Sequence, residues 1–161
     1  TRDRRQRQMC IRDRSKEELK ALSKLAIKHD LWVLSDDAYY EIRYSKDSPR
    51  SILNFQGMKE RTVILYTFSK KFAMTGWRIG ASIGPKSLIK HMARFNINDE
   101  SCTNHFIQHA LASVLSDGHN YGEGIIKKLI KRRDLCLKKL NSINDLNIST
   151  PESTFLSLIH I

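Results

Sequence analysis

Cysteine is scarce in this chain, with three residues among 161. They lie far apart, at positions 10, 102 and 136, and form no CxxC pair, which favours reduced thiols and a cytoplasmic protein over a disulfide scaffold. Long apolar runs are also missing, since none approaches the roughly 18 residues of a membrane-spanning helix, and no signal peptide is visible. The glycine patterns G-x-S-x-G, G-x-x-x-x-G-K and G-x-G-x-x-G are absent as well, which argues against the enzyme classes that carry them.

Acidic residues are in the minority. The chain has 17 Asp and Glu against 28 Lys and Arg, for a formal net charge of +11. Residues 1–14 hold six arginines and two aspartates, a composition that by itself suggests nucleic-acid binding. Leaving this segment out removes +4 and leaves +7, which is spread over the predicted helices and can favour anionic substrates.

Both ends of the chain match one laboratory DNA sequence. Residues 156–161 are the translation of CTGTCTCTTATACACATC, a transposon end used in preparing sequencing libraries. Its reverse complement, read in another frame, encodes Met-Cys-Ile-Arg-Asp and a codon beginning AG, which matches residues 9–14. We therefore predict that residues 1–14 and 156–161 are artefacts of library preparation, which disfavours the nucleic-acid interpretation of the arginines.

Helical and strand patterns alternate along the rest of the chain. Ser15 and Glu18 form a capping box, and four apolar side chains then recur at helical spacing until about residues 29–30. These four are Leu19, Leu22, Leu25 and Ala26. A short strand at 31–34 follows, and this order of helix and strand predicts a parallel sheet. Further strands are predicted at 62–66, 79–83 and 147–150, and further helices at 85–95, 106–115 and 121–140.

One stretch, residues 66–80, concentrates groups that suit a single ligand. It follows the predicted strand 62–66 and contains the hydroxyls of Thr67 and Ser69, then Lys70, and later Arg78. Hydroxyls donate to phosphate oxygens, and an arginine clamps two of them in a fork. A lysine can form an imine with a carbonyl. The stretch therefore predicts a site for a molecule that carries both a phosphate monoester and a carbonyl.

A second group of polar residues follows the strand predicted at 31–34. Residues 35–39 read Ser-Asp-Asp-Ala-Tyr, and ligands of open α/β sheets lie at the carboxyl ends of strands. Asp36 and Tyr39 are therefore candidate ligand-binding residues. The alternative is that Asp36 or Asp37 caps a helix beginning at Ala38.

The spacing Thr-Phe-Ser-Lys at 67–70 followed by Gly-Trp-Arg at 76–78 resembles the class I/II aminotransferases, fold-type-I enzymes that use pyridoxal 5'-phosphate (PLP). The resemblance implies an α/β fold: part of a large domain, with a mostly parallel sheet and helices on both faces, and the start of a C-terminal small domain. Residues 15–117 would belong to the large PLP-binding domain, and residues 118–155 would form a bridging helix and the start of the small domain.

The resemblance also implies a role for each candidate residue. Lys70 would form the Schiff base, while Thr67, Ser69 and Arg78 would hold the cofactor phosphate. Asp36 would pair with the pyridine nitrogen and Tyr39 would donate to the phenolate oxygen of the ring. Lys71 lacks the spacing to the arginine and is expected at the surface, and Asp37 is assigned no cofactor contact. The segment 151–155 resembles the Pro-x-Gly/Ala-x-Phe-Tyr segment of relatives, and residues 103–105 lack the proline of their Ser-Asn-Pro.

The activity implied is ping-pong transfer of an amino group between an amino acid and a 2-oxo acid, with Lys70 as general base and acid. Family members are homodimers of more than twice this length, so these 161 residues alone are expected to be inactive. No metal is expected, since His105 and His109 lack a third ligand, and the basic helix at 121–140 predicts a solvated face, with no nucleic-acid or membrane partner. Two alternatives stay open: another fold-type-I reaction, of the β-lyase or acyl transferase type, and a PLP-sensing domain of a transcription regulator.

Overall fold

The computed structural model describes residues 14–44, 51–118, 121–144, 146–156 and 159–160. Most of the predicted artefact at residues 1–14, and three of the six residues at 156–161, therefore lie outside the described residues. The described part forms helices α1 (Lys16–Lys28), α2 (Phe68–Lys71), α3 (Lys86–Asp99), α4 (His105–Ser116) and α5 (Gly122–Leu140). Its strands are β1 (Val33–Asp36), β2 (Thr62–Thr67), β3 (Gly80–Ile83), β4 (Asn147–Ile148) and β5 (Ile159–His160).

The main sheet has three strands in the order β1-β2-β3. Strands β1 and β2 are parallel, with Asp36 opposite Leu65, whereas β2 and β3 are antiparallel, with Thr67 opposite Gly80. The connection at 68–79 holds only α2 and one 3-10 turn, which is too little to cross a face of the sheet and return parallel. The expected α/β fragment is confirmed, and its sheet is mixed among the described strands.

Helix α1 begins at the predicted capping box. The Glu18 backbone N–H donates to Ser15 Oγ at 3.1 Å, and the Ser15 N–H donates to Glu18 Oε2 at 2.8 Å. The apolar face differs from the prediction, because Leu22 and Leu25 are exposed. The buried side chains of α1 are Leu19, Ser23 and Ala26.

Two buried apolar clusters hold the described residues together. The first joins α1 to the segment before β2 and consists of Leu19, Ala26, Ile52 and Met58, with Val33 and Phe55 packed against it. The second joins α2, the start of β3 and α4, and consists of Phe68, Ile79, Ile107 and Leu111. Because Phe68 directly precedes Ser69 and Lys70, the second cluster fixes the short helix that carries them.

Helix α3 runs to Asp99, four residues beyond the predicted end, and none of its side chains is buried. Phe95 is 75% exposed, and on β1 Leu34 is 66% exposed. No helix in the described ranges combines the length and hydropathy that a membrane span needs.

The last strands form a separate two-stranded sheet. Asn147 lies opposite His160 and Ile148 opposite Ile159, in antiparallel register. Strand β5 lies within residues 156–161, which we predicted to be an artefact of library preparation.

The backbones of β2 and β3 pack closely at Gly80. A Cβ built on Gly80 would lie 2.8 Å from the Tyr66 carbonyl oxygen, whereas one on Gly76 would meet nothing within 4 Å.

We therefore expect Gly80→Ala to destabilise the full-length protein by about 1–3 kcal/mol, because backbone atoms cannot yield without shifting β2 against β3. The control Gly76→Ala should change the free energy of unfolding by no more than about 0.5 kcal/mol. Urea unfolding measures both values, and equal stability of the two variants would contradict the packing described.

Candidate active site

The ends of three strands meet at one edge of the main sheet. Asp36 is the last residue of β1, Thr67 is the last of β2, and the antiparallel β3 begins at Gly80, opposite Thr67. The register therefore brings Asp36, Thr67 and the residues just before Gly80 to the edge where ligands of α/β sheets bind.

Thr67 and Ser69 form a hydroxyl pair at the start of α2. Thr67 is the N-cap of this helix, and its Oγ1 accepts a hydrogen bond from the Ser69 N–H at 3.3 Å. The Thr67 hydroxyl donates to Ser69 Oγ at 3.0 Å. Ser69 is buried while Thr67 is half-buried, so the pair lies at the boundary between core and solvent.

Arg78 has a left-handed backbone, with φ 52° and ψ 56°. Such a conformation costs a non-glycine residue about 1–3 kcal/mol, and Ala73 in the same connection also has a positive φ, of 52°. The next residue is fixed against α2, since the Phe68 N–H donates to the Ile79 carbonyl at 3.4 Å. The Arg78 guanidinium donates from Nη1 to the Thr75 carbonyl at 3.1 Å, and the side chain is exposed beside α2.

Lys70 lies in a corner made by two aromatic rings. Its Nζ is 5.8 Å from the centroid of the Tyr39 ring and 5.9 Å from that of Phe155. The two rings meet edge to face with centroids 5.3 Å apart. Both distances fall within the range of cation–π attraction, so the structure brings the predicted lysine and Tyr39 together.

Sequence reasoning missed Phe155 as a neighbour of Lys70, although the segment that holds it was noticed. The Thr154 N–H donates to the Ile42 carbonyl at 2.8 Å, and the Tyr44 N–H donates to the Glu152 carbonyl at 3.1 Å. This backbone pairing lays residues 152–154 beside the segment that follows Tyr39. The match to the Pro-x-Gly/Ala-x-Phe-Tyr segment was the signal that could have placed Phe155 at the site.

The two adjacent aspartates have different surroundings. Asp36 is exposed, and its Oδ1 accepts a hydrogen bond from the Ala38 N–H at 3.3 Å. Asp37 is half-buried and accepts from the Ser35 hydroxyl at 2.7 Å. Burial raises the pKa of Asp37, the Ser35 hydrogen bond opposes the rise, and the charge of Asp36 adds to it. The helix predicted by the capping alternative is not formed, because residues 38–41 are a turn, and Asp36 is the carboxylate that is open to a ligand.

Lys71 is not the surface residue that we predicted. Its Nζ is 3.3 Å from Glu41 Oε1, and its side chain is 20% exposed. The Nζ also lies 5.4 Å from the centroid of the Phe72 ring. Lys71 is thus occupied by other contacts, while Lys70 faces the aromatic corner.

Tyr66 directly precedes Thr67 on β2, and its ring meets that of Phe68 edge to face with centroids 5.1 Å apart. Burial, together with the nearby Glu41 and Tyr40, raises the pKa of Tyr66 to about 12. The protonated phenol is therefore favoured in the folded protein.

Because the folded pKa exceeds the ordinary value of 10.0, the stability that this group contributes is complete below pH 10 and is lost as the pH rises towards 12. We expect Tyr66→Phe to weaken the fall in melting temperature over that interval while keeping the ring contact. Melting curves of the wild type and the variant from pH 9 to 12 measure the difference, and parallel curves would contradict the assignment.

A cavity of about 590 Å³ opens beside Arg78 and is lined by residues of the 3-10 turn, α3, α4 and the loop at 100–104. Asn104, which stands at the position where relatives have Ser-Asn-Pro, is among its lining residues. On α4 the Nε2 atoms of His105 and His109 are 3.2 Å apart. Across the described ranges, no group of three or more His, Cys, Asp or Glu side chains is arranged to hold a metal ion.

Comparisons with known proteins agree with this arrangement. A model of the family "Aminotransferase class I and II" matches residues 9–161. The chain is 37% identical over 131 residues to aromatic-amino-acid aminotransferase 2 of Thermococcus litoralis, covering 80% of this chain and 34% of that protein. It is 38% identical over 130 residues to an aspartate aminotransferase of Pyrococcus abyssi, covering 80% and 33%. The crystal structure of an aromatic aminotransferase from Pyrococcus horikoshii matches with a TM-score of 0.83 at 34% identity, covering 89% of this chain and 39% of that one.

The fold is therefore that of part of a fold-type-I transferase. The chain belongs to the class I and II aminotransferase family, whose aspartate and aromatic aminotransferases depend on PLP. It spans about a third of the length of the curated relatives it matches.

Proposed function

We propose that the full-length protein is a PLP-dependent aminotransferase that moves an amino group between an amino acid and a 2-oxo acid. The observation that carries the proposal is the position of Lys70, in the Tyr39–Phe155 corner and one residue after the Thr67–Ser69 hydroxyl pair. A lysine beside phosphate donors is the combination that a cofactor with a phosphate and a carbonyl requires.

The residues present fit PLP. Thr67 and Ser69 offer two hydroxyls that are 3.0 Å apart, close enough to donate to one phosphate group, and Arg78 supplies a guanidinium from the neighbouring loop. When bound, PLP supplies an electron sink for the electrons left on the substrate Cα. Lys70 would hold the cofactor covalently through Nζ, and after release would carry the proton to and from the substrate Cα.

Asp36 and Tyr39 would act on the cofactor ring. The exposed carboxylate of Asp36 would pair with the pyridine nitrogen and keep it protonated, which strengthens the ring as an electron acceptor. The Tyr39 ring lies against the Lys70 side chain. From this position the Tyr39 hydroxyl would donate a hydrogen bond to the phenolate oxygen of the cofactor.

We also propose the domain organisation and assembly of the full-length protein, because the chain belongs to this family. Residues 15–117 would belong to the large domain, and residues 118–155, which include α5, would lead into the small domain. The full-length enzyme would be a cytoplasmic homodimer. The library-derived origin of residues 1–14 and 156–161 stays a prediction, and the sequence of the intact gene tests it.

The function is tested on the full-length enzyme reconstituted with PLP, supplied with aspartate or an aromatic amino acid and with 2-oxoglutarate. We expect glutamate to form only when both substrates are present, with the parallel double-reciprocal plots of a ping-pong reaction. Release of ammonia without an oxo acid would indicate a β-lyase instead. Tight PLP binding with no turnover of any substrate would indicate a sensor domain and would contradict the proposal.

A further inference from the structure

An ion pair joins the two segments that carry Tyr39 and Lys70. Lys71 Nζ lies 3.3 Å from Glu41 Oε1, and the side chains are 20% and 31% exposed, respectively. Glu41 ends the turn at 38–41, and Lys71 is the last residue of α2. The pair therefore stands directly behind the contact between Tyr39 and Lys70.

Local geometry couples the two contacts. The turn is closed by hydrogen bonds from the Tyr40 N–H to the Asp37 carbonyl at 3.1 Å and from the Ile42 N–H to the Tyr39 carbonyl at 2.9 Å. On α2, consecutive side chains point about 100° apart, so Lys71 can face Glu41 while Lys70 faces Tyr39. A shift of the turn against the helix would change both distances together.

The sheet gives these two segments little further support. The ladder between β1 and β2 ends where Asp36 lies opposite Leu65, followed by one hydrogen bond from the Asp37 N–H to the Leu65 carbonyl at 2.8 Å. Beyond that point one segment enters the turn at once, whereas β2 continues to Thr67, paired with β3, before the chain enters the four-residue helix α2. A helix of one turn has little stability of its own, so contacts from outside it decide its position.

The Glu41–Lys71 pair is partly buried, so its charges are screened less than those of an exposed pair. The ion pair is therefore strong enough to hold the turn against α2. The ion pair between Arg61 and Asp30 provides a contrast. Its atoms are 2.9 Å apart, yet the Asp30 side chain is 95% exposed, and the pair lies before β1 and β2, at the edge away from the site.

We propose that Glu41 and Lys71 are positioning residues, which set the approach of Tyr39 to Lys70 without touching the cofactor or substrate. The proposal rests on the proposed function, since it takes Lys70 as the lysine that captures PLP. The positive charge of Lys71 would position Tyr39 against Lys70, whereas Lys70 itself would carry out the chemistry.

The test compares Glu41→Gln, Lys71→Met and their double variant in the full-length enzyme, with the charge-swapped Glu41→Lys/Lys71→Glu as rescue and Asp30→Asn as control. Three kinds of quantity are measured: the melting temperature of the apoenzyme, the rate of PLP capture followed by absorbance, and the kinetic constants kcat and KM.

We expect each single variant to slow capture and to lower kcat by about 10- to 100-fold with KM within about twofold, since a small misplacement of Lys70 or Tyr39 is costly. The double variant should lose no more than either single one, and the swapped pair should recover part of the rate.

Asp30→Asn should change neither the capture rate nor kcat, and its melting temperature should shift little, because the Asp30 side chain is 95% exposed. Single variants that capture PLP and turn over at the wild-type rate, or that lose only stability, would overturn the positioning role. If Lys71→Met does not fold, Lys71→Arg against Lys71→Gln gives the same comparison, with the arginine expected to retain the rate. A wild-type enzyme that forms no adduct at Lys70 would overturn the proposed function and this inference together, whereas a normal adduct with unaffected variants would overturn the inference alone.

Discussion

Replacing Lys70 with alanine is expected to lower kcat of the full-length enzyme by about a thousandfold or more. The substitution removes both the amine that holds the cofactor and the group that moves the substrate proton, and proton transfer by a positioned side chain alone contributes about 10²- to 10⁴-fold. The fold should persist, because Lys70 is half-buried in the aromatic corner and belongs to neither buried cluster. Steady-state amino transfer by the variant measures the loss.

Lys71→Ala is the matched comparison, since the two lysines are adjacent on α2 and differ in what they contact. We expect this variant to keep the covalent adduct while its rate falls with the loss of the Glu41 contact. A Lys70→Ala enzyme that retains more than about a tenth of the wild-type kcat would contradict the catalytic role of Lys70.

Asp36→Ala should lower kcat by about 100-fold or more while weakening PLP binding only severalfold. Without the carboxylate the ring nitrogen loses its proton and the ring accepts electrons poorly, whereas the phosphate contacts from Thr67, Ser69 and Arg78 remain. The side chain is exposed, so its removal leaves no cavity in the core. Stopped-flow kinetics and a PLP titration separate the two effects.

Asp37→Ala is the control for Asp36. This residue is half-buried and bonded to Ser35, so its loss should alter stability more than the turnover number. A normal kcat in Asp36→Ala would leave Asp36 with a local role only, as the acceptor for the Ala38 N–H.

Features set by neighbours in the sequence could be predicted. The capping box needs only Ser15 and Glu18, three positions apart, and the structure forms it. Strand β2 was predicted at 62–66 and ends one residue later. It could be predicted because a continuous run of β-branched and other apolar residues specifies a buried strand with few alternatives. The hydroxyl pair of Thr67 and Ser69 follows from their spacing across the start of one helix.

Features set by distant contacts could not be predicted. The exposure of Leu22 depends on which face of α1 meets Met58, and helical spacing alone admits several faces. Phe155 reaches Lys70 through backbone pairing between residues more than a hundred positions apart, and the only signal for it was the resemblance of residues 151–155 to a family segment. The partial burial of Lys71 was missed for the same reason, since its ion pair with Glu41 joins residues thirty positions apart.

Reduction of the PLP-loaded full-length enzyme with borohydride, followed by peptide mapping, tests the central assignment most directly. Reduction makes the bond between cofactor and lysine permanent, so mass spectrometry can place it on one residue. The structure predicts a single modified lysine, Lys70, because its Nζ lies in the Tyr39–Phe155 corner. A modification at Lys71, or at a lysine outside α2, would contradict the account.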